Sequence, residues 1–147
     1  MRRQYCILGL PVVSATNLYV AGKNLITTLR LDLGSEASTL TTNTTHSGCA
    51  ADPSCLFLDH PAGQLYCVDD DTTNNRSVST YQTSPSGALT VVQRTSTSID
   101  PVSGTLYYND THRTILVANF HPPDLGSDVF GLFKFDKGLH NLTDRGT

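Results

Sequence analysis

Three consecutive carboxylates, Asp69, Asp70 and Asp71, form the densest run of acid–base groups in the sequence. Carboxylates packed this closely raise one another's pKa, which suits a general base, and their oxygens can equally accept hydrogen bonds or ligate a metal. A solvated strand end would carry the same residues without any chemistry. His121, two residues after Asn119, is the best-placed imidazole, although Pro122 and Pro123 behind it also fit a plain turn. Asp52 and Ser54 flank Pro53, and Ser103 follows Pro101-Val102. Asp69, Asp70 and His121 are therefore the catalytic candidates, and Asp52, Ser54, Ser103 and Asn119 the substrate-binding ones. The sequence has no Gly-x-Ser-x-Gly elbow, no phosphate-cradling glycine loop and no His-Glu-x-x-His. Without CxxC or His-x-x-His pairs a zinc site lacks support, and no motif requires a cofactor.

These residues act together only if the fold brings their loops to one end. An internal repeat supplies that arrangement. Leu18-Tyr19-Val20-Ala21 is echoed by Leu65-Tyr66-Cys67-Val68 and by Ile115-Leu116-Val117-Ala118, a period of about 50 residues. Segments starting at Ile26, Val78 and Val129 repeat in step, as do those at Thr39, Ala88 and Gly138. The runs are short, rich in Val, Leu, Tyr and Thr, and separated by Gly, Pro, Asn or Asp, which is strand and hairpin patterning. No window shows a helical apolar stripe.

A repeat of this length with four strands matches one propeller blade. The expected fold class is all-β, a β-propeller arc of about three four-stranded blades at about 16–47, 48–97 and 98–147, the first lacking its innermost strand. A sandwich of eleven strands is the alternative. In a four-stranded antiparallel blade, the loop entering the inner strand and the loop leaving the second strand lie at the same end. That places Cys49 to Ser54, Asp69 to Asp71, Ser98 to Ser103 and Asn119 to His121 around the mouth of a central channel. His60 and His112 fall in hairpin turns at the opposite end.

Composition narrows the setting. No segment approaches the roughly 18 consecutive apolar residues of a membrane span. Met1-Arg2-Arg3-Gln4, the apolar stretch Tyr5 to Val13, and Val13 and Ala15 at the −3 and −1 positions read as a signal peptide over residues 1–15. Its removal takes Arg2 and Arg3 from the 10 basic residues, leaving 8 against 13 acidic ones, a balance of −5. That excess disfavours a nucleic-acid partner. Sequons at Asn43, Asn75, Asn109 and Asn141 are consistent with export and glycosylation. Cys49, Cys55 and Cys67 would remain, so at most one pair can form, and the spacing does not say which.

The residues also resemble a known family. Ser14 to Ala21 followed by Ile26-Thr27-Thr28-Leu29 looks like the mature N-terminus of secreted fungal proteins of the seven-bladed lactonase family, related to 6-phosphogluconolactonases and carboxymuconate-cyclising enzymes. Gly48-Cys49-Ala50-Ala51-Asp52-Pro53-Ser54-Cys55-Leu56 resembles their Gly-Cys-Gly-x-Asn-Pro-Ser-Trp-Leu segment. Leu65-Tyr66-Cys67-Val68-Asp69-Asp70 is similar to their Leu-Tyr-Cys-x-Asp-Glu, and Ala118-Asn119-Phe120 to their Ala-His/Asn-Tyr. Cys55, Asp52, Asp70 and Ile99-Asp100 depart from the family's residues at the mouth loops or their edges.

The resemblance implies an incomplete seven-bladed propeller whose C-terminal blades are missing, and hydrolysis of a sugar lactone or related ester. The expected partner is a small-molecule lactone or carbohydrate. A phosphorylated lactone is disfavoured by export and because the mouth loops named above carry no Arg or Lys. The rival readings are a secreted binding propeller without chemistry and a truncated product without activity.

Overall fold

The computed structural model describes residues 14–34, 36–70, 76–97, 100–108, 113–120, 130–135 and 142–144. Among these are eleven strands and no helix, so no helix is long and apolar enough to cross a membrane. The first sheet is β1 (Ser14–Gly22), β2 (Leu25–Leu33) and β3 (Ser38–His46). The second is β4 (Pro53–Asp59), β5 (Gln64–Asp69), β6 (Ser77–Thr83) and β7 (Leu89–Ser96). The third is β8 (Asp100–Tyr108), β9 (Arg113–Phe120), β10 (Phe130–Phe135) and β11 (Leu142–Asp144).

Each sheet is an antiparallel meander in chain order. Between the second and third sheets, inner strand β4 meets inner strand β8 and outer strand β7 meets outer strand β11, while β1 meets β4. Three sheets succeed one another as wedges rather than forming two layers, so the chain is an all-β propeller arc. β1 starts at Ser14, opposite Leu33, so a cleavage after Ala15 would trim two residues from this strand.

The middle sheet explains why its sequence alternates so little. A strand's successive side chains point to opposite faces, and both faces of this sheet are covered. Leu65 and Cys67 of β5 join Ile26, Cys49, Tyr81 and Leu89 against the first sheet. Tyr66 and Val68 join Val78, Ile115 and Val117 against the third. All six residues of β5 are consequently buried. Each fully buried aliphatic side chain contributes roughly 1.5–3 kcal/mol. β3, by contrast, is an outer strand of mostly exposed Ser and Thr, whose β-branched threonines suit an extended, solvated edge.

Specific contacts hold the wedges in register. Gly87 lies in the turn between β6 and β7, and its carbonyl accepts a 2.8 Å hydrogen bond from buried Thr28 Oγ1 of the first sheet. Asn17 Nδ2 donates to Pro85 O at 3.2 Å, and Asn43 Nδ2 donates to Ser86 O in the same turn. On the other face, Phe57 stacks on Tyr66 with ring centroids 5.3 Å apart. A Cβ at Gly104 of β8 would lie 2.7 Å from Phe57 Cε1, so only glycine lets β8 approach this ring. A disulfide between Cys49 and Cys67, whose Cα atoms are 6.0 Å apart, ties the loop before β4 to β5. Cys55, on β4, is a free thiol.

Candidate functional site

One end of the sheets gathers three chain segments whose conformation follows from local chemistry. Gly22 and Leu25 pair across a two-residue turn, Lys23-Asn24, in which Asn24 takes the left-handed conformation at φ 61°. Asparagine is among the few residues that do so readily, and a tight two-residue hairpin needs it. Pro53 opens β4, a strand position where a missing N–H costs no ladder bond. The register then slips between Pro53 and Cys55, so Ser54 sits on a bulge. A matching slip falls between Pro101 and Ser103 in β8. Bulges of this kind bend inner strands and re-aim their side chains.

Ser54 uses that freedom to bridge two sheets. Its Oγ lies 3.2 Å from Val68 O and 3.0 Å from Pro101 O, sharing one hydroxyl proton between the two carbonyls. The neighbouring Asp52 is fixed by its backbone from both sides. Asp52 N donates to Asp69 Oδ1 at 3.1 Å, and Asp70 N donates to Asp52 O at 3.0 Å.

The adjacent carboxylates Asp69 and Asp70 are therefore placed differently. Asp69 is fully buried at the end of β5, with its Oδ2 3.7 Å from Arg94 Nη2. The Arg94 guanidinium also donates through Nε to Ser77 Oγ at 2.9 Å. Asp70 is half-buried and faces a cleft of about 280 Å3 that Lys23, Asp52 and Ser54 also line. The cleft thus brings together Asp52, Ser54 and Asp70 of the sequence candidates and leaves Asp69 beneath it.

Ser103 is exposed on β8. Asn119 pairs through its backbone with Pro101, but its side chain lies outside the described residues, as do Asp71 and His121. Among the described residues, no group of three or more His, Cys, Asp or Glu side chains is arranged to hold a metal ion.

Lys23 is the residue that the sequence reading missed, and it corrects the expectation that no basic side chain serves the mouth. Its signal was present in the repeat. Leu18-Tyr19-Val20-Ala21 aligns with Leu65-Tyr66-Cys67-Val68, so Lys23 occupies the position of Asp70 one repeat earlier. Successive sheets present a cation and a carboxylate from equivalent turns. Together with the exposed Asp52 carboxylate, the cleft can take up a proton, orient a water or hydroxyl, and balance a developing negative charge.

The family model described as lactonase, 7-bladed beta-propeller, matches residues 13–127. The chain belongs to this lactonase family. The matched span includes all three cleft-lining segments and β8 and β9 of the third sheet, so the cleft lies wholly within the lactonase-like part of the chain. No curated protein and no solved structure matches the chain.

Proposed function

We propose that the cleft of Lys23, Asp52, Ser54 and Asp70 opens a sugar lactone or related ester. The observation that carries this reading is the meeting of one half-buried carboxylate, Asp70, with one cation, Lys23, in a cleft of a lactonase-family propeller. In the reaction, a water oxygen bonds to the lactone carbonyl carbon and passes its proton to Asp70. Lys23 offsets the negative charge that collects on the carbonyl oxygen. The tetrahedral species then expels the ring oxygen, which takes up a proton, and a hydroxy acid leaves. Asp52 orients the substrate's hydroxyls, while Asp69 acts from below as a positioning residue.

Export to an oxidising compartment fits the same picture. The Cys49–Cys67 disulfide is of a kind that persists outside the cytosol, in keeping with the leader at residues 1–15 and the sequons. Export favours an unphosphorylated lactone, since sugar phosphates are cytosolic. Lys23 removes the electrostatic ground for excluding a phosphorylated one.

The test is pH-stat titration of glucono-δ-lactone and its 6-phosphate with the full chain. Turnover above buffer is expected with the unphosphorylated lactone, reduced about 100-fold or more by Asp70→Asn. Equal rates in the two proteins would remove Asp70 from the chemistry. Binding of the lactone without turnover would assign the chain to the non-catalytic propellers.

A further inference from the structure

The far end of β1 holds a second, larger cleft, of about 340 Å3, between the first and second sheets. Thr16, Asn17 and Tyr19 line one wall, His60 the β4–β5 turn, and Thr83 the end of β6. We propose that this cleft is a separate ligand site for a neutral saccharide.

Its lining is the first argument. Hydroxyls, a carboxamide, a phenol and an imidazole supply both donors and acceptors, yet no Asp, Glu, Lys or Arg lines the cleft. A charged ligand entering here would lose hydration and gain no ion pair. A ligand dense in uncharged hydroxyls can exchange water for the donor and acceptor capacity that these groups keep beyond their bonds within the fold. Apolar surface is interleaved with the polar groups, from Leu58, which is 39% exposed, and from Pro85. That pairing suits the mixed polar and C–H faces of a sugar ring, and the volume accommodates one or two rings.

Rigidity is the second argument, because a pre-ordered wall spares the ligand the cost of ordering it. The Gly63 carbonyl accepts from Thr83 N at 2.8 Å, from Thr83 Oγ1 at 2.8 Å and from Gln82 Nε2 at 2.9 Å. Asp59 Oδ1 accepts from Ala62 N at 3.0 Å and fixes the turn that carries His60. Asn17 Nδ2 holds Pro85 O across the sheets. Each of the three walls is anchored without using a charged group inside the cleft.

Distance is the third. Asn17 and Lys23, which line the two clefts, are six residues apart on or just past one strand, about 20 Å at roughly 3.3 Å per residue, and the walls come nearest at Tyr19 and Ala21. A saccharide held here would not reach Asp70. The site would let the protein dock on a glycan while the opposite end acts on a lactone.

The experiment is saturation-transfer NMR of methyl β-glucopyranoside, xylose and cellobiose with the full chain, with glucuronate as the charged control. Transfer to at least one neutral sugar is expected, with weaker transfer to glucuronate. His60→Ala and Thr16→Val, both at exposed positions, should each weaken binding at least five-fold, with amide NMR spectra showing an intact fold. Asp70→Asn should leave it unchanged. Absence of transfer to every neutral sugar, persistence of binding in both His60→Ala and Thr16→Val, or its loss in Asp70→Asn would overturn the proposal.

Discussion

Replacing Gly87 by alanine should unseat the turn that registers the first two sheets. Gly87 adopts φ +81°, a left-handed conformation that costs a residue with a Cβ roughly 1–2 kcal/mol. The new methyl would also sit 2.6 Å from Thr28 Cγ2 and 2.8 Å from Asn17 Oδ1, closer than any real Cβ contact. Relief requires the turn to withdraw, which breaks the buried 2.8 Å bond from Thr28 Oγ1 to Gly87 O, worth about 1 kcal/mol. Together these predict a loss of about 2–4 kcal/mol. For a chain of this size that lowers the melting temperature by roughly 5–15 °C. Gly22→Ala is the control, since its methyl meets only Leu25, at 3.6 Å, and Gly22 lacks a positive φ. Circular-dichroism melts of both variants decide the matter. A Gly87→Ala protein melting within about 2 °C of the parent, or Gly22→Ala losing as much, would refute the seated-turn account.

Other expectations can be checked on the same protein. Cys49→Ser with Cys67→Ser should cost about 3 kcal/mol in urea unfolding, since the disulfide closes a loop spanning 18 positions, whereas Cys55→Ser should cost about 1. Burial raises the Tyr81 phenol above its usual value near 10. The unfolded chain then loses this proton first, so stability that is complete below pH ~10 should fall as pH climbs toward the folded-state value. Tyr81→Phe should flatten that fall, and an unchanged slope in urea midpoints across this range would count against it. Asn43→Ala should lower stability by about 1 kcal/mol through loss of its bond to Ser86 O, while Thr45→Ala, which also abolishes the sequon, should leave thermal melts unchanged.

The repeat was legible because each sheet must reproduce the same strand–turn pattern, and strand grammar at residues such as Leu65 to Val68 survives divergence of individual side chains. The faces of the middle sheet were not legible. Polar–apolar alternation marks a strand with one wet face, and β5 has none, so Leu65-Tyr66-Cys67-Val68 reads as apolar throughout. That concealed which cysteines could meet. Leu56 and Cys67 oppose each other across β4 and β5 on the face toward the first sheet, where Cys49 arrives. Cys55, one residue away, points to the other face with Tyr66 and Val68. Lys23 was hidden for a different reason. It lies in a two-residue hairpin turn, which reads as turn chemistry until the repeat register sets it beside Asp70.

The same face parity explains how two neighbouring aspartates take different places in one site. Asp69 continues the Leu65–Cys67 face into the packed interior between the first two sheets, where a lone carboxylate would be strongly destabilised. It is accommodated there because Asp52 N and the Arg94 guanidinium approach it. Asp70 follows just beyond the strand end, where it lines the cleft while its N–H reaches Asp52 O. Asp52 is consequently pinned at N–H and carbonyl by the two aspartates, and Ser54, two residues on, locks the bulge to Val68 and Pro101. The cleft floor is thus built from the ends of β5 and β8 through the backbone of Asp52 and the hydroxyl of Ser54. A shift in the packing of the first three strands against β5 would reach the cleft directly through Lys23 on the β1–β2 turn and, through Asp69, at the backbone of Asp52.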